Sequence, residues 1–293
     1  MIEVEDPSGF IVGVYQRVLG REPKEAEVRE VLAALQSRAI SPLEWLQTVL
    51  ESEELENSRN SKALSTSADF TIEHSFVHFH KQVEPYTMTG TSNLWAIYDS
   101  VRYLAANHID GALVECGVWR GGSAMMMALS TMHFDQSVRS LHCYDTFVGM
   151  SEPSIHDVRY DGTEASLIWE PNPSGSGSNW HAAARSEVQA NILSTGFPFD
   201  LLSLIPGPVE ETLTQNSPDL ISLLRLDTDW YESTRVELEI LYPKLVSGGV
   251  LIIDDYAWWR GSRQAVDEYF GQSGQHPFLA RIDPAGSRLL IKP

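Results

Sequence analysis

The sequence has little cysteine, no long apolar run and no secretory leader. Its 293 residues include only Cys116 and Cys143, so we expect no disulfide framework and a reducing, cytoplasmic location. No apolar run approaches the ~20 residues needed to cross a bilayer. The first residues lack the basic and apolar regions of a secretion signal. These absences predict a protein that neither spans a membrane nor is exported.

Basic residues are also scarce. Forty acidic residues stand against 21 lysines and arginines, which gives a net charge of −19. Phosphate backbones and anionic lipid surfaces attract basic proteins, so neither nucleic acid nor a membrane is an expected partner. The composition is otherwise ordinary for a globular protein, with 43% hydrophobic and 10% aromatic residues.

The pattern of residues divides the chain into three regions. Residues 1–60 carry apolar residues at helical spacing, with Gly20 as a stop signal and Pro23 as a start signal, and predict a small module of roughly three helices. Residues 61–84 form a polar linker and helical lead-in, and residues 85–293 form the main domain. The first region resembles a small helical module of bacterial proteins that carries no known chemistry. We expect it to serve docking or oligomerisation.

Apolar runs alternate with helical patterns throughout the main domain. The runs that predict strands are 112–117, 140–145, 201–207, 221–227 and 249–255, followed by an antiparallel pair at 277–282 and 287–291. This alternation predicts an α/β fold, in which a mostly parallel, doubly wound sheet carries helices on both faces. Ligands of such sheets bind at the carboxyl ends of the strands.

Residues 146–180 interrupt the alternation. They include WEPNPSGSGSNW at 169–180, which is rich in proline, glycine and serine and shows no periodicity. A loop of this length inside a compact domain is usually an active-site lid or is disordered. We favour a mobile lid.

The first predicted strand runs into a glycine-rich turn, ECGVWRGGSA, at residues 115–124. Its GxxxGG spacing differs from the GxGxxG of dinucleotide sites, and no lysine follows it as in a triphosphate-binding loop. Asp145 ends the next strand, where an acid typically accepts hydrogen bonds from a ribose. Tight strand-to-helix packing would explain the glycines equally well, but the turn and the acid together indicate a nucleoside-bearing cofactor.

Acidic residues follow two further strands. Asp227 and Asp229 follow one apolar run, and Asp254 and Asp255 follow another. Adjacent carboxylates repel each other and lose hydration, so something should compensate them, and Mg²⁺ prefers such oxygen ligands. Successive strand residues point to opposite faces, so Asp254 and Asp255 converge only if the strand ends at about Asp255. Alternatively, Asp255 caps a following turn and Asp254 is a buried hydrogen-bond acceptor.

Several sequence blocks resemble the macrocin-type (TylF/MycF) O-methyltransferase family. In chain order they are VECGVWRGGSAMMM, LHCYDTFVGM, GPVEETL, LLRLDTDWYESTRVELEILYPKLVSGGVLIIDDY and RQAVDEYF, within about residues 85–270. Members use S-adenosylmethionine and Mg²⁺ to methylate hydroxyls, commonly on sugars of natural products. The resemblance implies a Rossmann-like class I methyltransferase fold, a small hydroxylated (glycosyl) acceptor, and a homodimer or higher homo-oligomer.

The resemblance also implies roles for individual residues. Those that would line the methionine end of the cofactor are Glu115, Gly117, Trp119 and Ser123. Asp145 would hold the ribose, and Val209 and Glu210 would border the adenine. The implied metal ligands are Asp227, Asp254 and Asp255. Asp227 would also act as the general base. Apart from the resemblance, Asp229 shares a face with Asp227 if the segment is extended, so we rank Asp229 second as the base.

Two other functions stay open from the sequence. A nicotinamide-dependent oxidoreductase would use the same kind of sheet, although the GxxxGG spacing disfavours it. A non-catalytic scaffold would keep the fold, although the intact acids disfavour degeneration. The segment with His74, His78 and His80 suggests zinc, but no fourth ligand lies nearby and solvated histidines are favoured.

Aromatic residues near the acids and the lid are further candidates. Trp258 and Trp259 would stack on an acceptor or pack on the lid, and the sequence does not distinguish these roles. His181 borders the lid and would lie within reach of a substrate, but the sequence does not assign it a catalytic role.

Overall fold

The computed structural model describes residues 6–15, 23–37, 39–50, 73–171 and 177–293. The chain forms two compact units, residues 1–73 and 74–293. No helix in these described ranges is long and apolar enough to span a membrane.

The first unit contains helices α1 (Pro7–Val14), α2 (Glu25–Gln36) and α3 (Pro42–Leu50). The side chain of Asp6 caps α1 by accepting a hydrogen bond from the Gly9 amide at 3.0 Å. The three helices enclose a small core around Trp45, whose ring packs edge-on against Phe10. The Gly20 stop signal and residues 61–72 of the predicted linker lie outside the described residues.

The second unit is built on a seven-stranded sheet with the order β3-β2-β1-β4-β5-β7-β6. Its strands are β1 (Ala112–Cys116), β2 (Leu141–Asp145), β3 (Leu202–Pro206), β4 (Ile221–Leu226), β5 (Leu245–Ile253), β6 (Ala280–Arg281) and β7 (Arg288–Ile291). Strands β1 to β5 pair in parallel, and β7 runs antiparallel to both β5 and β6. The predicted mostly parallel sheet with a final antiparallel pair is confirmed.

The described helices of this unit are α4 (His74–Val83), α5 (Thr91–Ala106), α6 (Gly122–Phe134), α7 (Arg185–Leu193), α8 (Val209–Asn216), α9 (Tyr231–Leu241) and α10 (Arg260–Gln272). The sequence pattern does not predict α5 or α8. Helix α5 is buried at many positions, so its apolar residues form no single stripe, and α8 has only 8 residues. Pattern reading is weakest for such helices.

Strands β1 and β4 lie side by side at the centre of the sheet and are buried at every residue. The chain runs outward from β1 to β3 on one side, and from β4 to β5 on the other. The point where strand order reverses therefore lies between β1 and β4, where ligands of doubly wound sheets bind. Two charged residues lie on these buried strands, Glu115 and Arg225, so each needs a partner.

Candidate active site

Three carboxylates converge at the carboxyl ends of β4 and β5. Asp227, Asp254 and Asp255 each offer one oxygen, and these oxygens all lie within 4.8 Å of one another. Asp255 is buried, and the other two are half-buried. This is the only group of three or more metal-ligating acids, cysteines or histidines found among the residues that the structure describes. The histidines of α4 form no such group.

The end of β5 explains how neighbouring aspartates converge. The strand ends at Ile253, and the Asp254 amide still donates to the carbonyl of Leu226 on β4 at 2.9 Å. The carbonyl of Asp255 then accepts from the amides of Trp258 and Trp259, both at 3.1 Å, which makes a tight turn. The predicted departure from the strand is confirmed, because both aspartates lie beyond it and are free of strand alternation.

Arg225 is a buried partner of the cluster that sequence reasoning missed. It lies on β4 with its side chain 1% exposed, and its guanidinium contacts Asp227 Oδ2 at 2.6 Å and Asp254 Oδ1 at 2.8 Å. It also donates to Glu115 Oε1 on β1 at 2.8 Å. An arginine in the middle of an apolar strand is the signal that points to it, because a buried guanidinium requires acidic partners.

Asn93 of α5 is a second missed partner. Its Nδ2 lies 3.1 Å from Asp254 Oδ1 and 3.1 Å from Asp283 Oδ2, and the residue is buried. Arg225 and Asn93 thus both donate to the same oxygen of Asp254. Its other oxygen stays available to a ligand.

The cluster carries more negative charge than these donors neutralise. Burial raises the pKa of Asp227 well above its ordinary value; Arg225 opposes this, and Asp254 and Asp255 add to it. Burial, followed by the nearby Asp229, likewise raises the pKa of Asp255 well above its ordinary value. Crowded carboxylates with raised pKa values favour a bound cation, which would relieve their repulsion.

Asp229 lies beside the cluster in a left-handed backbone conformation, with φ of 68°. The segment is therefore not extended, and Asp229 does not share a strand face with Asp227. Its Oδ1 accepts a hydrogen bond from Trp259 Nε1 at 2.6 Å, and its amide donates to Asp255 Oδ2 at 3.2 Å. Burial, and then Asp227, raise the pKa of Asp229 to about 7. Trp259 thus orients a fourth acid next to the three.

The donor set fits a hard divalent cation. Each of the three aspartates offers the carboxylate oxygen that Mg²⁺ prefers, and Arg225 holds one oxygen each of Asp227 and Asp254, leaving the other. The arginine does not close the cluster, because Asp255 makes no ion pair with it among the described contacts.

The glycine turn lies directly against this cluster. Gly117 follows β1 with φ of 80°, and a Cβ there would overlap the backbone carbonyl of Asp227. The Asp227 amide in turn donates to the Cys116 carbonyl at 2.9 Å. Only glycine fits a position that is both left-handed and in contact with a neighbouring strand end. The predicted nucleoside pocket and the predicted metal cluster therefore adjoin.

Asp145 makes contacts that the sequence did not indicate. Its Oδ2 accepts from the amides of Val118 and Trp119, at 2.7 and 3.0 Å, and its Oδ1 accepts from the Phe147 amide at 2.7 Å. The carboxylate therefore closes the glycine turn. Oδ1 also accepts from Thr146 Oγ1 at 3.4 Å, so four donors already contact the carboxylate, and the ribose contact stays a prediction.

The other predicted cofactor residues lie at the same edge of the sheet. Ser123 is buried in the first turn of α6, and its Oγ lies 3.1 Å from Thr89 Oγ1. Glu115 is fully buried on β1, and its Oε2 has no hydrogen-bond partner among the residues that the structure describes. Val209 and Glu210 open α8, immediately after β3. An orphaned carboxylate oxygen beside a glycine turn fits a ligand that carries an amino group.

The described part of the predicted lid is hydrogen-bonded to the start of α9. Asp157 is 1% exposed; its Oδ1 accepts from the Tyr231 amide, the first of α9, at 2.8 Å. Its Oδ2 accepts from the amide and hydroxyl of Ser154 at 2.7 and 2.8 Å. The carboxylate therefore fastens this segment to the helix that follows Asp229.

Both candidate tryptophans pack on this segment. Trp259 lies in a buried cluster with Trp230 and Ala165, whereas Trp258 is 39% exposed and packs against Tyr160 at 4.9 Å between ring centroids. His181 accepts from Trp180 Nε1 at 2.9 Å, and burial lowers its pKa. An acceptor-binding role for Trp258 and His181 stays a prediction.

Known proteins resemble the chain in sequence. A family model described as macrocin-O-methyltransferase (TylF) matches residues 28–288. Demethyldecarbamoylnovobiocin O-methyltransferase of Streptomyces niveus is 33% identical over 201 residues, which is 69% of this chain and 74% of that protein. The 8-demethyl-8-(2,3-dimethoxy-alpha-L-rhamnosyl)-tetracenomycin-C 4′-O-methyltransferase of Streptomyces olivaceus is 33% identical over the same shares of both chains.

A solved structure shares the fold. The O-methyltransferase NovP superposes with a TM-score of 0.62 at 29% identity, covering 71% of this chain and 82% of that chain. The Rossmann-like class I methyltransferase fold implied by the sequence blocks is thereby confirmed.

Proposed function

The chain belongs to the macrocin O-methyltransferase (TylF) family, and we propose that it methylates a hydroxyl of a sugar-like small molecule, with S-adenosylmethionine as donor and Mg²⁺ as metal. One observation carries the proposal. Three carboxylate oxygens lie within 4.8 Å of one another, directly beside a glycine turn at the switch point of the sheet. A cation bound by these oxygens would lie next to the proposed nucleoside pocket, as metal-assisted methyl transfer requires. Membership in this family favours methyl transfer over hydride transfer.

The donor would lie over the carboxyl ends of β1, β2 and β3. Glu115, with its unpartnered oxygen, and Ser123 would bind the methionine end, together with Gly117 and Trp119. Asp145 would hold the ribose while it keeps the turn closed. The residues proposed to border the adenine are Val209 and Glu210.

The metal would bind at the ends of β4 and β5, to Asp227, Asp254 and Asp255. A bound Mg²⁺ supplies positive charge that lowers the pKa of a neighbouring hydroxyl. The chain's own contribution is to hold these carboxylates ready: Arg225 and Asn93 fix one side of Asp254, and the turn after Ile253 fixes Asp255.

The hydroxyl proton must reach a base as the acceptor oxygen bonds to the methyl carbon and the S–CH₃ bond breaks. Asp227 is the base implied by the resemblance, but one of its oxygens binds Arg225 and the other would bind the metal. Asp229 lies outside the metal group and is oriented by Trp259. The contacts therefore favour Asp229, which reverses the ranking drawn from the sequence.

The acceptor class follows from relatives. The tetracenomycin relative acts, by its name, on a rhamnosyl-bearing molecule. We extend this to a glycosyl hydroxyl here, with the segment 146–180 acting as a lid over it. A homodimer is also part of the proposal; analytical ultracentrifugation of the full chain tests it.

The function is tested by calorimetry and turnover. We expect S-adenosylhomocysteine to bind at micromolar concentrations, and labelled methyl groups to pass from S-adenosylmethionine to glycosylated acceptors only when Mg²⁺ is present. No binding at tens of micromolar would rule out the donor. Full activity in excess EDTA would rule out the metal.

Two variants separate the candidate bases. If Asp229 is the base, Asp229→Asn abolishes turnover and leaves Mn²⁺ affinity within a few-fold of wild type, whereas Asp227→Asn loses both. Retained turnover in Asp229→Asn, together with lost turnover in Asp227→Asn, would restore Asp227 as the base.

A further inference from the structure

One guanidinium touches both proposed ligand sites. Nη1 of Arg225 donates to Glu115 Oε1 at 2.8 Å and to Asp227 Oδ2 at 2.6 Å. Its Nη2 donates to Asp254 Oδ1 at 2.8 Å and to Thr89 Oγ1 at 3.2 Å. The side chain is 1% exposed, so water does not screen these contacts. Arg225 thus contacts two metal-side carboxylates and one donor-side carboxylate.

The contacts continue into the donor pocket. Thr89 Oγ1 lies 3.1 Å from Ser123 Oγ, in the first turn of α6. The path from Ser123 through Thr89 and Arg225 to Asp254 is therefore an unbroken series of hydrogen bonds. Glu115 provides a second, parallel path to Asp227.

The guanidinium has fixed geometry. Its donors lie in one rigid plane, so a shift of one bound carboxylate moves the donors that hold the others. A cation that binds Asp227 and Asp254 would fix Arg225 from one side. A donor that binds Glu115 and Ser123 would fix it from the other.

We propose that Arg225 is a positioning residue that couples the two sites, so that the methyl donor and the divalent cation bind cooperatively. This rests on the proposed function, because it takes both ligands from it. Arg225 touches neither reacting atom and acts through the residues it holds. Whichever ligand binds first orders the guanidinium. The second ligand then binds without the entropy cost of ordering it.

Cooperativity is measured as a ratio of dissociation constants. Titrating wild type with S-adenosylhomocysteine, which carries no sulfonium charge, in EDTA and in saturating Mg²⁺ should give about fivefold tighter binding with the metal. Titrating with Mn²⁺, with and without S-adenosylhomocysteine, should give a similar factor in the other direction, because coupling is reciprocal.

Three variants assign the coupling to Arg225. Arg225→Lys keeps the charge but not the planar fork, and should reduce the ratio to below about twofold. Thr89→Val removes only the hydroxyl that joins Arg225 to Ser123. Its ratio should lie between those of wild type and Arg225→Lys. The control is Arg139→Lys, a half-buried arginine paired with Asp135 and Ser222, which should keep the full ratio.

The outcomes are distinct. A wild-type ratio of one overturns the coupling while leaving the proposed function intact, since both ligands still bind. An unchanged ratio in Arg225→Lys also overturns it; should that variant not fold, an unchanged ratio in Thr89→Val does the same. Failure of S-adenosylhomocysteine to bind wild type removes both the coupling and the proposed function.

Discussion

The two sides of the central sheet build their sites by different means. On the β1–β3 side the pocket is made by backbone: a left-handed glycine, amides that Asp145 draws together, and helix starts. On the β4–β5 side the cluster is made by side chains: three aspartates, of which Arg225 holds Asp227 and Asp254, and Asn93 also holds Asp254. A turn made by backbone is sensitive to a change of shape, whereas a carboxylate cluster is sensitive to a lost charge or a lost donor.

The largest expected effect is at Gly117, where the two sides meet. Gly117→Ala places a methyl group against the Asp227 carbonyl and forces a left-handed residue, so we expect at least about 3 kcal/mol less free energy of unfolding. Urea denaturation measures it. Gly271→Ala in α10 is the control: its Cβ meets no neighbour, and the change should be neutral or mildly stabilising. Equal stability of the two variants would show that the sites do not meet at Gly117.

A pair of aspartate variants should affect metal binding and cofactor binding separately. Asp254→Asn removes a metal ligand and should weaken Mn²⁺ binding by about 100-fold or more. Loss of a residue that only supports a metal ligand already lowers metal affinity by about 10–100-fold. Asp145→Asn should instead weaken the binding of S-adenosylhomocysteine more than the binding of Mn²⁺. Calorimetry with both ligands measures each loss. The exposed Asp200→Asn, with the same charge change, should alter neither affinity. An equal loss of affinity for both ligands in both variants would contradict the separation of the metal site from the cofactor site.

Asn93 tests whether orientation matters on the β4–β5 side. Asn93→Ala removes a buried donor to Asp254 and Asp283, so we expect about tenfold weaker Mn²⁺ binding and about 1–3 kcal/mol lower stability. Asn107→Ala, at the exposed end of the same helix, should leave Mn²⁺ affinity unchanged. Wild-type Mn²⁺ affinity in Asn93→Ala would mean that Arg225 alone orients Asp254.

The smallest expected effect concerns Asp157, which lies outside both sides. Asp157→Asn replaces one of the carboxylate oxygens that accept from Ser154 and Tyr231. It should lower the free energy of local unfolding by about 1 kcal/mol, so residues 146–171 should be cleaved faster by a protease. The Michaelis constant for the acceptor should rise a few-fold while S-adenosylhomocysteine affinity stays unchanged. The exposed Asp161→Asn is the control within the same segment. A change in donor affinity instead would assign this segment to the donor pocket.

The sequence predicted the sheet well because its strands are apolar runs between turns, and the acids because they end those runs. It did not predict Asn93 as a partner, because the contacts of Asn93 cross from one element to another and leave no local pattern. Arg225 was missed although an arginine within an apolar run indicates buried acidic partners. The closing of the glycine turn by Asp145 was missed for the same reason. The conformation of Asp229 was not predicted, because a left-handed residue cannot be read from a run that is expected to be extended.

The most direct test is a crystal structure of the protein with S-adenosylhomocysteine and Mn²⁺, read by anomalous scattering. We predict one strong peak bound by an oxygen each of Asp227, Asp254 and Asp255, with the cofactor beside Gly117 and Arg225 still paired to Asp254. A peak elsewhere, or a bound cofactor with no metal and all three carboxylates turned away from one another, would contradict the proposed site.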